Sequence, residues 1–384
     1  MYDIILKGCR LFDGERFYNE PTDIAIERGR IAKIGTVSDC KAEFVRDCTG
    51  MTVTPGLIDA HAHFAPFAGI GVDPHLACLP FGVTAVLDAG SVGCNTVDSV
   101  AGAMYTAPVE TRLFMNVCSS GLNSLRSYPE DIDPAKFDRA KIERMFDKYP
   151  DKLCGLKIRM GKECSLHYGK EPLRAALELA HGIGVPLCTH VSNPDFPAGE
   201  LAEMMGEGDI FTHTYQGRGN TILDGDKIDI RILRARERGV IFDVGDACFH
   251  LDFEVFSTAL ANGFAPDLIG SDITDKGVFH HGVFALPMTL SKLVSMGMNE
   301  ADVLRTATSK AADTLGFKGG RIAEGRAADI AVFRAKHNCG TFKDGKGHII
   351  DASYYLVPQL TVKNGSVAWC NIEFREGYTE NPAK

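Results

Sequence analysis

Two histidines stand one residue apart in TPGLIDAHAHF, residues 54–64. Side chains alternate across a β-strand, so His61 and His63 share a face, and one strand can offer two imidazole nitrogens to one metal ion. The pair alone fits core or surface histidines equally well, but further residues of the same chemistry follow. His190 lies in LCTHVS, His213 in IFTHTY and Asp272 in IGSDIT, each near the end of an apolar stretch, while Lys157 lies inside the apolar stretch GLKIRM. A lysine is rare in a core unless paired, because an ammonium is costly to take out of water. Four histidines, an aspartate and a lysine at the ends of apolar stretches are poorly explained as core filling.

Something must bring these residues together. Eight apolar stretches read as strands: 57–63, 84–90, 112–120, 154–160, 186–192, 209–215, 240–247 and 268–274. Helical patterns separate most of them. The clearest are PLRAALELAHG (172–182) and DKIDIRILRARERG (226–239), each with apolar residues at i, i+3 and i+4 and a closing glycine. Strand–helix alternation calls for a parallel sheet covered by helices, and eight units predict a closed (β/α)8 barrel over residues 54–319. A doubly wound open sheet is the alternative, but no G-x-G-x-x-G follows the first strand. In a barrel, all the candidate residues gather at the C-terminal face. Both ends of the chain are short, β-rich and punctuated by glycine, and Asn364-Gly365 is a hairpin signal. Residues 1–53 and 320–384 are therefore expected to form one small β-domain around the barrel, with the ENPAK end frayed.

Composition narrows the function. The net charge of −9 opposes a nucleic-acid footprint. No run of about 18 apolar residues offers a membrane span. The N-terminal residues read as a first strand rather than a signal peptide. Twelve scattered cysteines with no C-x-x-C pair read as free thiols of a cytoplasmic protein.

The residues PGLIDAHAH, the lysine of the fourth strand, the single histidines of the fifth and sixth, GSD with Asp272, and EGRAADIAVF ahead of the last strands together resemble the amidohydrolase superfamily in its two-metal subtype. The amidohydrolase/deacetylase subgroup, dihydroorotase-like in its ligands and marked by a K-x-R pair (Lys157 and Arg159), is the closer likeness. The resemblance implies an α/β fold: a distorted (β/α)8 TIM barrel with a β-sandwich built from both termini. It implies that His61 and His63 bind one divalent ion with Asp272, that His190 and His213 bind a second, and that Lys157 bridges both as a carbamate formed with carbon dioxide. Zinc is the expected metal, although the ligands also suit Mn, Co, Ni or Fe. A bridging hydroxide would attack a carbonyl, with Asp272 taking the proton and passing it to the leaving group. Barrels of this type are often homo-oligomers.

The expected substrate is a small carboxylate-bearing amide or ester that loses an acyl group, chiefly acetyl. The alternative is a cyclic amide or imide. Dihydroorotases carry an arginine two residues after the second histidine, where this chain has Ala65, and THVSNPD lacks the glutamate of one-metal deaminases. A non-catalytic scaffold relative would have lost metal ligands, and all six positions are present here. Arg159 shares a face with Lys157 and is a candidate for a substrate carboxylate, or else an ion-pair partner of Asp88 or Asp243. Tyr215 and His280 are further candidate substrate contacts, with Gln216, Arg218 and His281 beside them. His167, His181, His250 and His348 read as structural, and nothing pairs His75 with the metals.

Overall fold

The computed structural model describes residues 1–38, 41–65, 70–281 and 285–374, and for 280 and 281 the backbone alone. The ENPAK end and the rings of His280 and His281 lie outside the described residues. Seven parallel strands form the barrel wall in chain order: β1 (Leu57–Ala62), β2 (Val83–Gly93), β3 (Glu110–Asn116), β4 (Leu153–Arg159), β5 (Leu187–His190), β6 (Ile210–Thr212) and β7 (Ile241–Asp243).

The eighth expected strand is not a continuous one. Single parallel bridges, Asp243 to Leu268 and Ala62 to Ile273, span the gap between β7 and β1. Side chains have replaced part of the ladder there. The Gly270 N–H donates to Asp243 Oδ1 at 3.0 Å, and the Ser271 N–H donates to Asp59 Oδ1 at 2.9 Å. Asp272 then takes a left-handed φ of 50°. Gly270 is required by contact: a Cβ on it would stand 2.1 Å from the Cβ of His61. The backbone is thus pressed against the first candidate ligand.

The helix over Glu171–Gly182 forms as its apolar spacing predicts and buries Leu173, Ala176, Leu177 and Ala180. The longer stretch 226–239 divides. Lys227–Ile228 pairs back onto Leu223–Asp224, Asp229 caps the next turn by accepting the Arg231 N–H, and the helix runs only over Ile230–Glu237. A local cap and hairpin outcompete the first turn of helical periodicity.

The chain termini meet in one eight-stranded sheet. Ile4 and Leu6, Ile24 and Ile26, Ile330 and Val332, and Leu360 and Val362 bury alternate positions of four strands in a shared core. Asn364 and Gly365, at φ 50° and 78°, make the two-residue turn between Lys363 and Ser366. Thr52–Pro55 pairs antiparallel with Ile330–His337, and the chain passes from there through Gly56 into β1. The terminal sheet therefore anchors the strand that carries His61.

A second buried lysine was not singled out by its sequence context. Lys292 Nζ lies 2.7 Å from Asp246 Oδ2, with side chains 3% and 0% exposed. Thr289 Oγ1 donates to the same carboxylate oxygen at 3.0 Å. The Asp246 backbone N–H reaches Gly270 O, so this pair ties the loop after β7 to the irregular eighth segment. Removing one member strands a buried charge. Lys292→Met is expected to cost about 3–5 kcal/mol of stability. Urea unfolding would measure it, and a loss below ~1 kcal/mol would show that the pair does not brace the loop.

Candidate active site

The C-terminal ends of the barrel strands open onto a cavity of about 600 Å3, whose walls include His63, Lys157, Arg159, His190, His250 and Asp272. His61 lies beneath, 1% exposed. Asp272 is at the centre. Its Oδ1 is 3.5 Å from His61 Nε2 and 3.2 Å from His63 Nε2; its Oδ2 is 4.0 Å from His213 Nδ1 and 3.8 Å from His250 Nε2.

Partners behind three of the rings decide which nitrogen faces forward. His61 Nδ1 is 2.8 Å from Asp243 Oδ2, a carboxylate that also accepts from the Thr212 hydroxyl at 2.6 Å. His63 Nδ1 is 2.8 Å from Ser91 Oγ, and the Ser91 hydroxyl is already donated to Asp88 Oδ2. His213 Nδ1 is 3.0 Å from the carbonyl of Gly245. Each partner accepts, so each Nδ1 holds the proton and each Nε2 keeps a lone pair, which for His61 and His63 is the nitrogen that faces Asp272. Burial holds His61, His190 and His213 below the ordinary imidazole range, and the nearby charges of Lys157, Arg159 and His250 respectively add to it. Burial opposes ionisation of Asp272; positive charge on the His61, His63 and His250 side outweighs it and holds the carboxyl well below its usual range, and with the rings neutral that charge has to come from a bound cation.

Lone pairs and a carboxylate then face one another with nothing positive between them. His61 Nε2 is buried and has no hydrogen-bond partner. Ligand atoms of His61, His213 and Asp272 lie within 4.8 Å of one another. Acceptors at such distances repel unless a cation joins them, so this donor set fits a divalent metal. The Asp252, Glu254 and His348 group is also close-set, but Asp252 pairs with Lys346 at 2.9 Å and His348 with Asp344 at 2.8 Å.

Lys157 sits 2% exposed on β4, with Gly90 leaving room for its stem: a Cβ there would lie 2.5 Å from the Lys157 Cβ. Its Nζ is 3.3 Å from Cys188 Sγ. Burial pushes that thiol up to about 11, so it is neutral and offers no countercharge. A buried amine beside a neutral thiol fits a group that becomes an anion on taking up carbon dioxide.

The other expected residues divide. Arg159 does line the cavity, but it pairs with Glu130 at 2.6 Å and Glu163 at 2.8 Å rather than with Asp88 or Asp243. Tyr215 is not at the cavity. It is fully buried, packs on Phe256 and donates its hydroxyl to Phe264 O at 3.1 Å. Gln216 holds local backbone, accepting from the Asn193 and Arg218 N–H groups. His250, expected to be structural, is on the cavity wall beside Asp272. Nothing in its spacing marks it; its one signal is its position just past a strand that ends at the C-terminal face.

The model of the amidohydrolase family matches residues 52–368. The chain belongs to the amidohydrolase family. Membership makes it a metal-dependent hydrolase acting on C–N bonds, on small molecules. It is 26% identical over 372 residues to a deacetylase of Enterococcus faecalis, spanning 95% of this chain and 99% of that one. A deacetylase of Agrobacterium fabrum is 28% identical over 318 residues, 81% of this chain and 78% of its own. Among solved structures, an adenine deaminase superposes with a TM-score of 0.87 at 26% identity, covering 97% of this chain and 100% of its own. A dihydroorotase does so with a TM-score of 0.87 at 25% identity, covering 95% and 97%. No described helix is long and apolar enough to cross a membrane.

Ser91 provides a test of the ring-holding network. Ser91→Ala should weaken metal binding about 10–100-fold by freeing the His63 ring. Competition with a chelator would measure this, and an unchanged metal affinity would remove Ser91 from that role.

Proposed function

We propose that this amidohydrolase removes an acyl group, chiefly acetyl, from a small carboxylate-bearing amide or ester with the help of two divalent metals. The observation that carries this is the convergence of three imidazole rings on one ionised Asp272 carboxylate beside a buried, uncompensated lysine. Full-length similarity to a protein named a deacetylase supports the acyl choice.

In this reading His61, His63 and Asp272 hold one metal, His190 and His213 hold the other, and Lys157, carboxylated by carbon dioxide, holds both. Zinc suits the set of histidine, carboxylate and carbamate. When bound, the metals supply Lewis acidity, making water acidic enough to ionise near neutral pH and polarising a carbonyl. The chain does the rest. Asp243, Ser91 and Gly245 O fix the ring protons on Nδ1, so the rings hold their facing lone pairs without reorienting. Asp272 lines the cavity and is the base that accepts the proton of the attacking water, then returns it to the leaving nitrogen or oxygen. Arg159 carries fixed positive charge on the wall beside Lys157 and is the candidate partner of the substrate carboxylate. Its two glutamate partners hold it in place and temper its affinity.

A substrate screen tests the reading. The metal-loaded, bicarbonate-supplemented protein is expected to hydrolyse N-acetyl or O-acetyl derivatives of α-substituted acids and to leave hydantoins, dihydropyrimidines and dihydroorotate intact. Asp272→Asn should abolish turnover while the protein stays folded by circular dichroism. Turnover of a ring substrate instead would replace the acyl reading with cyclic amide hydrolysis.

A further inference from the structure

His250 has no role in the reaction outlined above, yet it occupies a place that a bystander would not. Its ring packs at 4.0 Å from the centre of the His213 ring and at 5.4 Å from that of His190. Nδ1 is buried with no hydrogen-bond partner. Nε2 is on the cavity side, and among the described residues its nearest charged atom is Asp272 Oδ2 at 3.8 Å, beyond hydrogen-bond reach. Buried polar atoms in folded proteins nearly always find partners; the protein gives Nδ1 no acceptor, which favours the ring proton on Nε2, the atom beside Asp272.

The backbone that delivers it is unusual. Gly245, Ala247 and Cys248 all adopt left-handed φ, at 51°, 42° and 68°. For Ala247 and Cys248 that conformation is unfavourable, on the order of 1–3 kcal/mol each, and persists only where its surroundings enforce it. The enforcing contacts are present. Asp246 is fixed by Lys292 and Thr289, Ala247 N–H donates to Ser271 O at 2.9 Å, and His250 N–H donates to Asp246 O at 2.9 Å. A strained loop braced from two sides presents one unpartnered ring beside Asp272.

We propose that His250 touches the substrate, donating a hydrogen bond from Nε2 to the oxygen of the scissile carbonyl as that oxygen gains negative charge. No proton is transferred; the N–H stays with the ring. The ring supplies a directional neutral donor directly beside the Asp272 carboxylate, where the His61 and His63 lone pairs offer none. The inference rests on the hydrolysis of a C–N or ester carbonyl and not on the acetyl group, so it outlives a change of substrate.

The test compares His250→Ala and His250→Gln with wild type, on whichever acyl or ring substrate the wild type turns over. Loss of the donor should lower kcat of His250→Ala by about 10²–10³-fold, with KM near the wild-type value. The glutamine variant, whose amide N–H can donate, should recover part of that. Metal content by mass spectrometry and the thermal midpoint should match wild type. Binding of methylphosphonate, a tetrahedral oxyanion mimic, should weaken in parallel in His250→Ala, and this readout needs no substrate. An unchanged kcat, equal methylphosphonate affinity in wild type and His250→Ala, or a metal loss that matches the loss of activity would each overturn the proposal. Turnover of ring compounds alone would sink the acetyl reading and leave the His250 comparison intact.

Discussion

Three hydrogen bonds on the far side of three imidazole rings set the chemistry of this barrel. A neutral histidine has one donor nitrogen and one acceptor nitrogen, and whichever is engaged behind the ring fixes what is presented in front. Asp243, the Ser91–Asp88 pair and Gly245 O all accept, so His61 and His63 turn lone pairs toward Asp272, while His213 keeps its lone pair on Nε2. The inward lone pairs would repel Asp272, at 3.2 to 3.5 Å from two of them, unless positive charge comes between. The outer partners therefore make the pocket cation-seeking before any ion arrives, and the ordered barrel strands exist to keep those partners in register.

The residues at the centre stand where regular pairing fails. His213 and Asp272 both have left-handed φ, at 63° and 50°, directly beyond or within broken ladder. A continuous strand fixes its side chains to alternate faces, so leaving it lets consecutive positions be aimed independently. Leaving the ladder frees the direction but exposes backbone donors. Here Asp59 and Asp243 take the N–H groups of Ser271 and Gly270, so the break is satisfied rather than merely tolerated. Asp243 serves twice, once for the backbone of the eighth segment and once for the His61 ring. This couples the closure of the barrel to the orientation of a candidate ligand.

Much of this is readable from spacing. His61 and His63 sit two apart on one strand, and single residues close later apolar stretches, because a strand fixes which face each position takes. Seven of the eight strands and the helix over Glu171–Gly182 follow from the same periodicities. The eighth does not, because LIGSDIT carries strand-like apolar residues and nothing local reveals that distant carboxylates will capture its N–H groups. Tyr215 illustrates a different limit. It follows the candidate ligand His213 by two residues, but the chain turns at that left-handed residue, so the alternation that would have placed it on the cavity face no longer applies. His250 and the Asp246–Lys292 pair were hidden because they depend on contacts between loops, which sequence spacing does not encode.

The same barrel serves proteins named for different reactions, at equal TM-scores of 0.87 for an adenine deaminase and a dihydroorotase, so strands and metal ligands cannot select the substrate. Selection must come from loops, and here one loop position carries no charge. Ala65 is 1% exposed within the apolar cluster, and Gly71 approaches its backbone so closely that a Cβ on the glycine would lie 2.3 Å from the Ala65 carbonyl oxygen. An alanine at this position offers no cation to a substrate. The carboxylate of a substrate must then be met from elsewhere on the wall. Arg159, rising from β4 two residues beyond Lys157 and braced between Glu130 and Glu163, is a wall cation held by the barrel rather than by a loop. A carboxylate anchored there is read from the lysine side of the site, away from the H-x-H strand, where Ile70 and Leu122 share the wall with the Arg126–Asp275 pair and Lys276. That placement suits an open-chain acid whose carboxylate reaches β4 better than a ring held at the H-x-H strand.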